Sequence, residues 1–372
     1  MVADPIVEAS DALSPVPPRP GAAADFRLLC LIPSIPLGGM ERAALNVCAE
    51  LAGEGADVHA LAARRWGTKV EAELKRLGIG HTHVALPAQF SRPHTLLHAR
   101  TMAVSAAVTG YEFAAARRRH RANAILATNY NVAHFARRIA CRDDTVSVFR
   151  IPNPPAARAR QGFKWRLDKA IWGAIADSFD HLVCNAHYTA DLVATVSGRP
   201  DKVRVVRNYP PRTDRRIETP APQLDPARRH VIYLGQVAHH KGIDVLLEAA
   251  AKVCADRPDV DVVLAGPHIW RDDYGAGLTA RIAAAGLTER FCLVGSIDDV
   301  HGLLTQGAVH VCPSISPGDS FPNVLLDAKR AGLPSVVLPT AGLPEAIQHG
   351  VDGLVMPDHS AEALAAALSS LL

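Results

Sequence analysis

The stretch that decides the fold runs from Pro313 to Pro339 and reads P-S-I-S-P-G-D-S-F-P-N-V-L-L-D-A-K-R-A-G-L-P-S-V-V-L-P. Its prolines and first glycine oppose regular structure up to Pro322, whereas residues 323–332 have the apolar spacing and the terminal glycine of a short helix. An apolar run follows at residues 335–338. The stretch therefore predicts a loop, a helix and a buried strand in succession.

Two carboxylates lie eight positions apart across this junction, Asp319 in the loop and Asp327 on the helix. The backbone N–H groups of Phe321, Asn323 and Val324 fall at or near the helix start. Unpaired donors and the helix dipole favour an anion there. We therefore expect this junction to hold a phosphate group or sugar hydroxyls.

The rest of the chain alternates short apolar runs with helical patterns. Such alternation predicts parallel sheets covered by helices on both faces. The strand candidates are Leu28–Ile32, Val58–Ala62, His83–Leu86, Ala124–Ala127, Val146–Ile151, His181–Cys184, Val203–Val206, Val231–Leu234, Val260–Leu264, Phe291–Val294, Val309–Val311, Ser335–Leu338 and Gly353–Val355.

A stretch rich in proline and charge divides these candidates into two sets. We predict a disordered tail over residues 1–24, a Rossmann-like domain over 25–210, a linker over 211–229 and a second Rossmann-like domain over 230–372. Two such domains facing each other across a cleft bind ligands at the carboxyl ends of their strands.

Charge is shared unevenly between the two predicted domains. Residues 25–210 contain 26 Lys and Arg against 15 Asp and Glu, a net charge of +11, whereas residues 211–372 carry −6. A basic face of this kind predicts contact with an anionic lipid surface or a phosphate-linked substrate, and solvated helix faces are the open alternative. No nucleic-acid partner is predicted.

The chain shows no apolar run of the roughly 18 residues that would predict a membrane span, and no basic start typical of a signal peptide. We therefore expect a cytoplasmic protein, with peripheral contact at the inner membrane face as an extension of the charge argument. The seven cysteines lack C-x-x-C spacing, and we interpret them as buried free thiols.

The loop-to-helix stretch resembles the pattern P-S-x-x-E-G-F-G/P-x-x-x-L-E-A-x-x-x-G-x-P-V-V of glycosyltransferase family 4, whose members have the GT-B fold and retain anomeric configuration. Asp319 and Asp327 replace the two glutamates of that pattern, and Ser320 replaces the glycine after the first. Each aspartate places its carboxylate one methylene closer to the backbone, so the loop must approach a ligand more closely.

Two further motifs resemble the same family, and the matches keep the family order over nearly all of residues 26–372. Gly38 and Gly39 stand in P-L-G-G-M-E-R, similar to the family's glycine-rich G-G-x-E-R loop. Lys241 stands in L-G-Q-V-A-H-H-K-G, where the family has an arginine and a lysine that hold the donor diphosphate. Gln236 replaces that arginine, and a neutral amide cannot offset a negative charge.

The resemblance implies a hexosyltransferase-like enzyme of polysaccharide biosynthesis. It would move a sugar from a nucleotide-diphosphate donor, with UDP ahead of GDP, to a saccharide or polyprenyl-linked acceptor. In this interpretation Lys241 and Gln236 hold the diphosphate, while Asp327 accepts the ribose hydroxyls. The implied donor-binding set is Gly38, Gly39, Gln236, Lys241, Asp319, Ser320, Phe321, Pro322, Asn323, Val324 and Asp327.

The resemblance also implies the catalytic residues Asp319, Lys241 and Arg150. Pro152 stands where the family commonly has a histidine, which leaves Arg150 or Asn153 to take that role. No metal and no cofactor are implied, because a lysine and helix N-termini supply the positive charge at the leaving diphosphate.

Other interpretations remain open at this point. The replaced arginine and glutamates also suit a non-catalytic sugar-nucleotide-binding partner subunit, and a sugar-nucleotide epimerase has the same fold. The family's C-terminal crossover helix is expected to be absent. His81 and His83, with no further ligand beside them in sequence, are interpreted as a surface pair, and Asp259 and Asp261 as a turn leading into a strand.

Overall fold

The computed structural model describes residues 25–32, 37–64, 68–85, 96–128, 145–153, 162–209, 219–267 and 274–372, with single residues at 130, 132, 133, 136 and 155. The predicted tail over residues 1–24, Cys141, and residues 211–218 of the predicted linker lie outside the described residues. The division into domains therefore stays a prediction.

In the first part of the described chain, seven parallel strands form one sheet in the order β3-β2-β1-β4-β5-β6-β7. The strands are β1 (Arg27–Ile32), β2 (Asp57–Ala63), β3 (Gly80–Val84), β4 (Ala124–Ala127), β5 (Val146–Ile151), β6 (His181–Cys184) and β7 (Val203–Val205). The helices of this half that the structure describes from end to end are α1 (Gly39–Gly53), α2 (Lys69–Arg76), α3 (Leu96–Arg119), α4 (Gly162–Asp177) and α5 (His187–Ser197).

The second half contains a sheet of six parallel strands, counted over the described residues, in the order β10-β9-β8-β11-β12-β13. The strands are β8 (Arg229–Leu234), β9 (Val260–Ala265), β10 (Phe291–Gly295), β11 (Val309–Cys312), β12 (Ser335–Val337) and β13 (Gly353–Val355). The helices are α6 (Ile243–Asp256), α7 (Tyr274–Ala284), α8 (Val300–Leu304), α9 (Asn323–Arg330) and α10 (Ala361–Leu371).

Both faces of the first sheet are covered, as strand β1 shows. Leu29 and Leu31 pack into a cluster with residues of α3, α4 and α5. Leu28, Cys30 and Ile32 point to the opposite face and pack against α1 and α2. Because side chains alternate along a strand, an uninterrupted apolar run produces two buried faces, and such a strand belongs in the middle of a parallel sheet.

Most strand predictions agree with the structure to within two residues, and one does not. The third strand was expected over His83–Leu86, but β3 runs from Gly80 to Val84. The apolar residues after His83 suggested the later position, whereas pairing with β2 sets the observed one, with Gly80 opposite His59.

Two other expectations are wrong. Cys292 is exposed, because β10 is an edge strand with one partner, whereas the other cysteines that the structure describes are buried. His81 and His83 also have a third potential ligand beside them, because Glu71 of α2 places its carboxylate 3.4 Å from His83 Nε2.

The two halves contact each other through the N-terminal end of α5. The Glu345 carboxylate accepts hydrogen bonds from the backbone N–H groups of His187 at 2.8 Å and Tyr188 at 2.7 Å. Ala186 packs in an apolar cluster with residues of the second half, including Phe321. This contact brings the carboxyl end of β6 next to the loop before α9.

Within the described part of the chain, no helix combines the length and the apolar character needed to span a bilayer.

Candidate functional site

Lys241 is positioned by a close contact between two loops of the second half. It ends a 3₁₀ turn after β8, and Gly242 follows with φ of +73°. A Cβ atom on Gly242 would lie 1.7 Å from the carbonyl oxygen of Pro313, which follows β11. Only glycine allows this approach, so the Lys-Gly pair fixes the lysine against the loop that carries Asp319.

The Lys241 ammonium group and the Asp319 carboxylate form an ion pair. Lys241 Nζ lies 2.7 Å from both Asp319 oxygens, and the side chains are 23% and 17% exposed. The Ser314 hydroxyl donates a third hydrogen bond to Asp319. An ammonium group has three donors, so Lys241 can contact Asp319 and a phosphate oxygen at the same time.

Helix α9 begins beside this pair. The helix starts at Asn323, and the preceding Pro322 has an extended backbone. The first N–H groups of the helix therefore have no preceding turn whose carbonyl groups could accept their hydrogen bonds. Asp327 lies one turn into the helix and is partly exposed. The structure thus places Asp319 in the loop and Asp327 on the helix, in the arrangement that the sequence suggests.

An amide network joins α9 to the first half. Asn323 Nδ2 donates to the Gly39 carbonyl oxygen at 3.0 Å, at the start of α1. Asn208 Nδ2, beyond the end of β7, donates to Asn323 Oδ1 at 2.8 Å and to the Phe321 carbonyl oxygen at 3.0 Å. The glycine-rich loop and the start of α9, distant in sequence, are therefore neighbours.

Arg150 joins the same network from strand β5. Its guanidinium group donates to Asn208 Oδ1, and the residue is 7% exposed. Burial lowers the pKa of Arg150. Nη1 is buried and has no hydrogen-bond partner among the described residues. Asn153, with its amide oriented to satisfy its neighbours, donates to the Gly318 carbonyl oxygen at 3.2 Å.

The hydrogen bond of Gln236 joins it to Tyr233 and not to the Lys241–Asp319 ion pair. Its backbone carbonyl accepts a hydrogen bond from the Tyr233 hydroxyl at 2.7 Å, while the residue itself is exposed. Burial, with a smaller contribution from the nearby Asp319 charge, raises the pKa of Tyr233 far above its usual value. The tyrosine therefore remains a neutral donor that fixes the loop carrying Gln236.

Three residues predicted to bind the sugar donor do not offer it a hydrogen bond from a side chain. Two of them direct their side chains into the protein, and the third is a proline without an N–H group. The Ser320 hydroxyl is buried in a hydrogen bond with Thr189 of α5, and Phe321 packs in the apolar cluster around Ala186. These two can offer a ligand their backbone groups. Pro322 has no N–H and can offer contact alone.

Sequence reasoning missed three residues that bridge the two halves, namely Thr189, Asn208 and Glu345. It also missed Ser314, which bonds to Asp319 within the second half. One usable signal existed for Asn208, which stands three residues after β7. Polar residues just beyond the carboxyl ends of parallel strands are candidates for the site in this class of fold.

Comparison with known proteins covers both halves. The profile described as "Glycosyltransferase Family 4" matches residues 37–209, and the profile described as "Glycosyl transferases group 1" matches residues 228–372.

Curated relatives match over about half of the chain. A D-inositol 3-phosphate glycosyltransferase of Mycolicibacterium gilvum is 30% identical over 210 residues, which cover 53% of this chain and 45% of that protein. A protein of the same name from Mycobacterium sp. (strain JLS) is 32% identical over 215 residues, 53% and 46% of the two chains. The chain thus aligns with about half the length of these relatives.

A solved structure is similar over a longer stretch. Anabaena HepE in complex with UDP superposes with a TM-score of 0.71 at 15% identity, covering 93% of this chain and 89% of that one. Together with the two parallel sheets, this similarity defines the GT-B class of fold. The chain belongs to glycosyltransferase family 4.

Proposed function

We propose that the protein is a retaining, metal-independent glycosyltransferase. It transfers a sugar from a nucleotide-diphosphate donor, UDP rather than GDP, to a saccharide or lipid-linked acceptor. One observation carries the proposal. The Lys241–Asp319 pair and the start of α9 follow strands of the second sheet, and Asn323 places them beside Gly39 of the first half. A junction of this kind, at the carboxyl ends of the strands of two sheets, suits a donor held on one side and an acceptor on the other.

The donor diphosphate would lie against Lys241 and the N-terminus of α9. Both favour negative charge, and the backbone N–H groups of Asn323 and Val324 supply donors. Gln236 adds hydrogen bonds without charge. Asp327 would accept the ribose hydroxyls, and Asp319 those of the transferred sugar.

The proposal of metal independence rests on the position and partners of Asp259 and Asp261. Asp259 and Asp261 form a D-x-D sequence, the spacing with which metal-dependent glycosyltransferases of another fold bind manganese. They lie at the amino end of β9, whereas Lys241 follows the carboxyl end of the neighbouring strand β8. Asp261 accepts two hydrogen bonds from Arg228, and Asp259 pairs with Arg257. The charge at the leaving diphosphate is therefore assigned to Lys241 and the helix.

Arg150 acts on the site through Asn208. Its burial and its bond to Asn208 suit the positioning of the amide network better than direct contact with the sugar. Asn208 in turn sets the start of α9 through Asn323 and the Phe321 carbonyl.

For the acceptor, the net charge of +11 over residues 25–210 favours an anionic molecule. Two such acceptors are candidates. One is a polyprenyl-phosphate-linked saccharide, which would place the enzyme in polysaccharide biosynthesis at the cytoplasmic membrane face. The other is a small inositol phosphate, suggested by the names of the relatives.

The test incubates the purified protein with radiolabelled UDP- and GDP-sugars, with and without inositol phosphate or a polyprenyl-phosphate-linked saccharide. Formation of a labelled product with retained anomeric configuration by NMR, by chelator-treated protein and at a rate that added Mg²⁺ or Mn²⁺ does not raise, supports the proposal. Donor binding without turnover would indicate the non-catalytic partner subunit. An altered sugar without acceptor would indicate the epimerase.

A further inference from the structure

Helix α2 and the edge strand β3 bring together three side chains that the proposed transfer reaction does not use. His81 and His83 are two positions apart on β3, so their rings lie on the same face of the sheet. Glu71, in the first turn of α2, faces them with a side chain that is 4% exposed. Thr68 caps this turn by accepting a hydrogen bond from the Glu71 N–H at 3.1 Å, which fixes the start of the helix.

The distances within this cluster approach those of a zinc site. Glu71 Oε2 lies 3.4 Å from His83 Nε2, and Glu71 Oε1 lies 4.0 Å from His81 Nε2. One ligand atom from each residue lies within 4.8 Å of the other two. In a tetrahedral site with bonds of about 2.0 to 2.1 Å, neighbouring ligand atoms are about 3.4 Å apart. The Glu71–His83 pair is already at this separation, and rotation of the side chains would have to bring the other ligand atoms closer.

We propose that Glu71, His81 and His83 bind a zinc ion, with water as the fourth ligand. Two imidazoles and one carboxylate suit zinc, whereas magnesium and calcium prefer all-oxygen sites. The ion ties α2 to the edge strand and stabilises the first half. Its ligands come from β3 and α2, and none belongs to the amide network or to the Lys241–Asp319 pair.

Lys75 provides a way to distinguish a zinc site from a cluster in which Glu71 serves only as the ion-pair partner of a lysine. Its ammonium group lies 2.6 Å from Glu71 Oε1, and its side chain is 64% exposed. The lysine can therefore swing into solvent when a cation arrives. Because Lys75 brings positive charge to the same carboxylate, its removal should strengthen zinc binding.

The experiment treats the full chain with a chelator, removes the chelator, and titrates ZnCl₂ in competition with a chromophoric chelator. We expect one tight site per chain. His81→Ala, His83→Ala and Glu71→Gln should each lower zinc affinity at least about tenfold, and Lys75→Met should raise it. His301→Ala, a change at an exposed histidine of α8, should leave it unchanged.

Two further measurements keep the proposal open to refutation if a variant folds poorly. Cobalt should give the intense visible absorption of tetrahedral coordination, lost in the His81→Ala, His83→Ala double variant. Zinc should raise the melting temperature of the unaltered chain but not of that variant. The site is overturned if the double variant keeps the zinc stoichiometry and affinity, or if cobalt gives only a weak octahedral spectrum.

Discussion

The two halves of the protein contribute to the candidate site in different ways. The second half supplies formal charge, in the Lys241–Asp319 pair and the carboxylate of Asp327. The first half supplies neutral groups at the junction, namely the Gly39 carbonyl and the amide of Asn208, with the buried Arg150 behind it.

This difference predicts that affinity for the donor and the relative position of the two halves depend on different residues. Charge-assisted contacts bind a diphosphate directly, whereas an amide network that spans the two halves sets their relative position. Changes in the second half should therefore weaken donor binding. Changes in the network should lower turnover while donor binding survives.

The largest expected effect concerns the close approach that positions Lys241. Gly242→Ala should destabilise the fold more than Gly350→Ala, although both glycines have positive φ, +73° and +78°. At Gly350 nothing lies within 4 Å of an added Cβ, so the cost is that of the left-handed backbone, about 1–2 kcal/mol. At Gly242 the overlap with Pro313 should add about 1–3 kcal/mol. Urea unfolding measures both, and equal destabilisation would contradict the packing argument.

Next in size is the loss of the donor-site charge. Lys241→Ala should weaken UDP binding by about 1.5–3 kcal/mol, or roughly 10- to 150-fold, because a charge-assisted contact is removed. Lys252→Ala serves as the matched control, since Lys252 pairs with Glu362 on the surface. Calorimetry gives the affinity of each variant. A UDP affinity that does not change in Lys241→Ala would remove this residue from the site.

For the amide network we expect the opposite result, a loss of turnover with donor affinity retained. Asn208→Ala should lower kcat with little change in donor affinity, because it breaks the bonds to Asn323 and Phe321 and takes a partner from the buried Arg150. Leaving a buried donor unsatisfied costs about 1–3 kcal/mol, so a melting curve is the necessary companion measurement. A variant that loses donor affinity and kcat equally would show that both halves hold the donor.

The two aspartates sharpen the comparison within the second half. Asp327→Asn should weaken UDP and UDP-sugar alike, whereas Asp319→Asn should spare UDP and impair the sugar donor or its turnover. A neutral hydrogen bond in place of a charged one changes the free energy by about 1 kcal/mol, so each effect should be several-fold. Parallel titrations with the two ligands distinguish the roles. Two silent substitutions would move the site away from α9.

The smallest effect is expected at Gln236, which is exposed. Gln236→Arg should tighten donor binding by up to about 1 kcal/mol if its side chain faces the diphosphate, since exposed ion pairs contribute little. Titration at low and high salt tests this, because screening should reduce the gain. A loss of affinity in a folded variant would mean that the pocket is built around the neutral amide.

Local pattern predicted much of this structure and could not predict the rest. Strands such as Ala124–Ala127 and the helix at Asn323 follow from apolar runs, prolines and glycines within a few residues. The contact between Gly39 and Asn323 joins positions far apart in the chain. This contact depends on how the two folded halves pack against each other, and a sequence pattern of a few residues does not contain that information. The third candidate ligand beside His81 and His83, Glu71, was missed for a similar reason, because it comes from a neighbouring helix.

The buried hydroxyl of Ser320 has one more consequence. It stands where the family pattern has a glycine, and it bonds to Thr189 of the other half. Asp319 is the residue immediately before Ser320. The hydrogen bond between Ser320 and Thr189 therefore connects the loop proposed to hold the sugar to α5. Thermodynamic reciprocity then applies. If this contact favours the loop conformation that binds the donor, donor binding must strengthen the contact by the same factor. Sugar recognition and the joining of the two halves would thus be a single linked equilibrium.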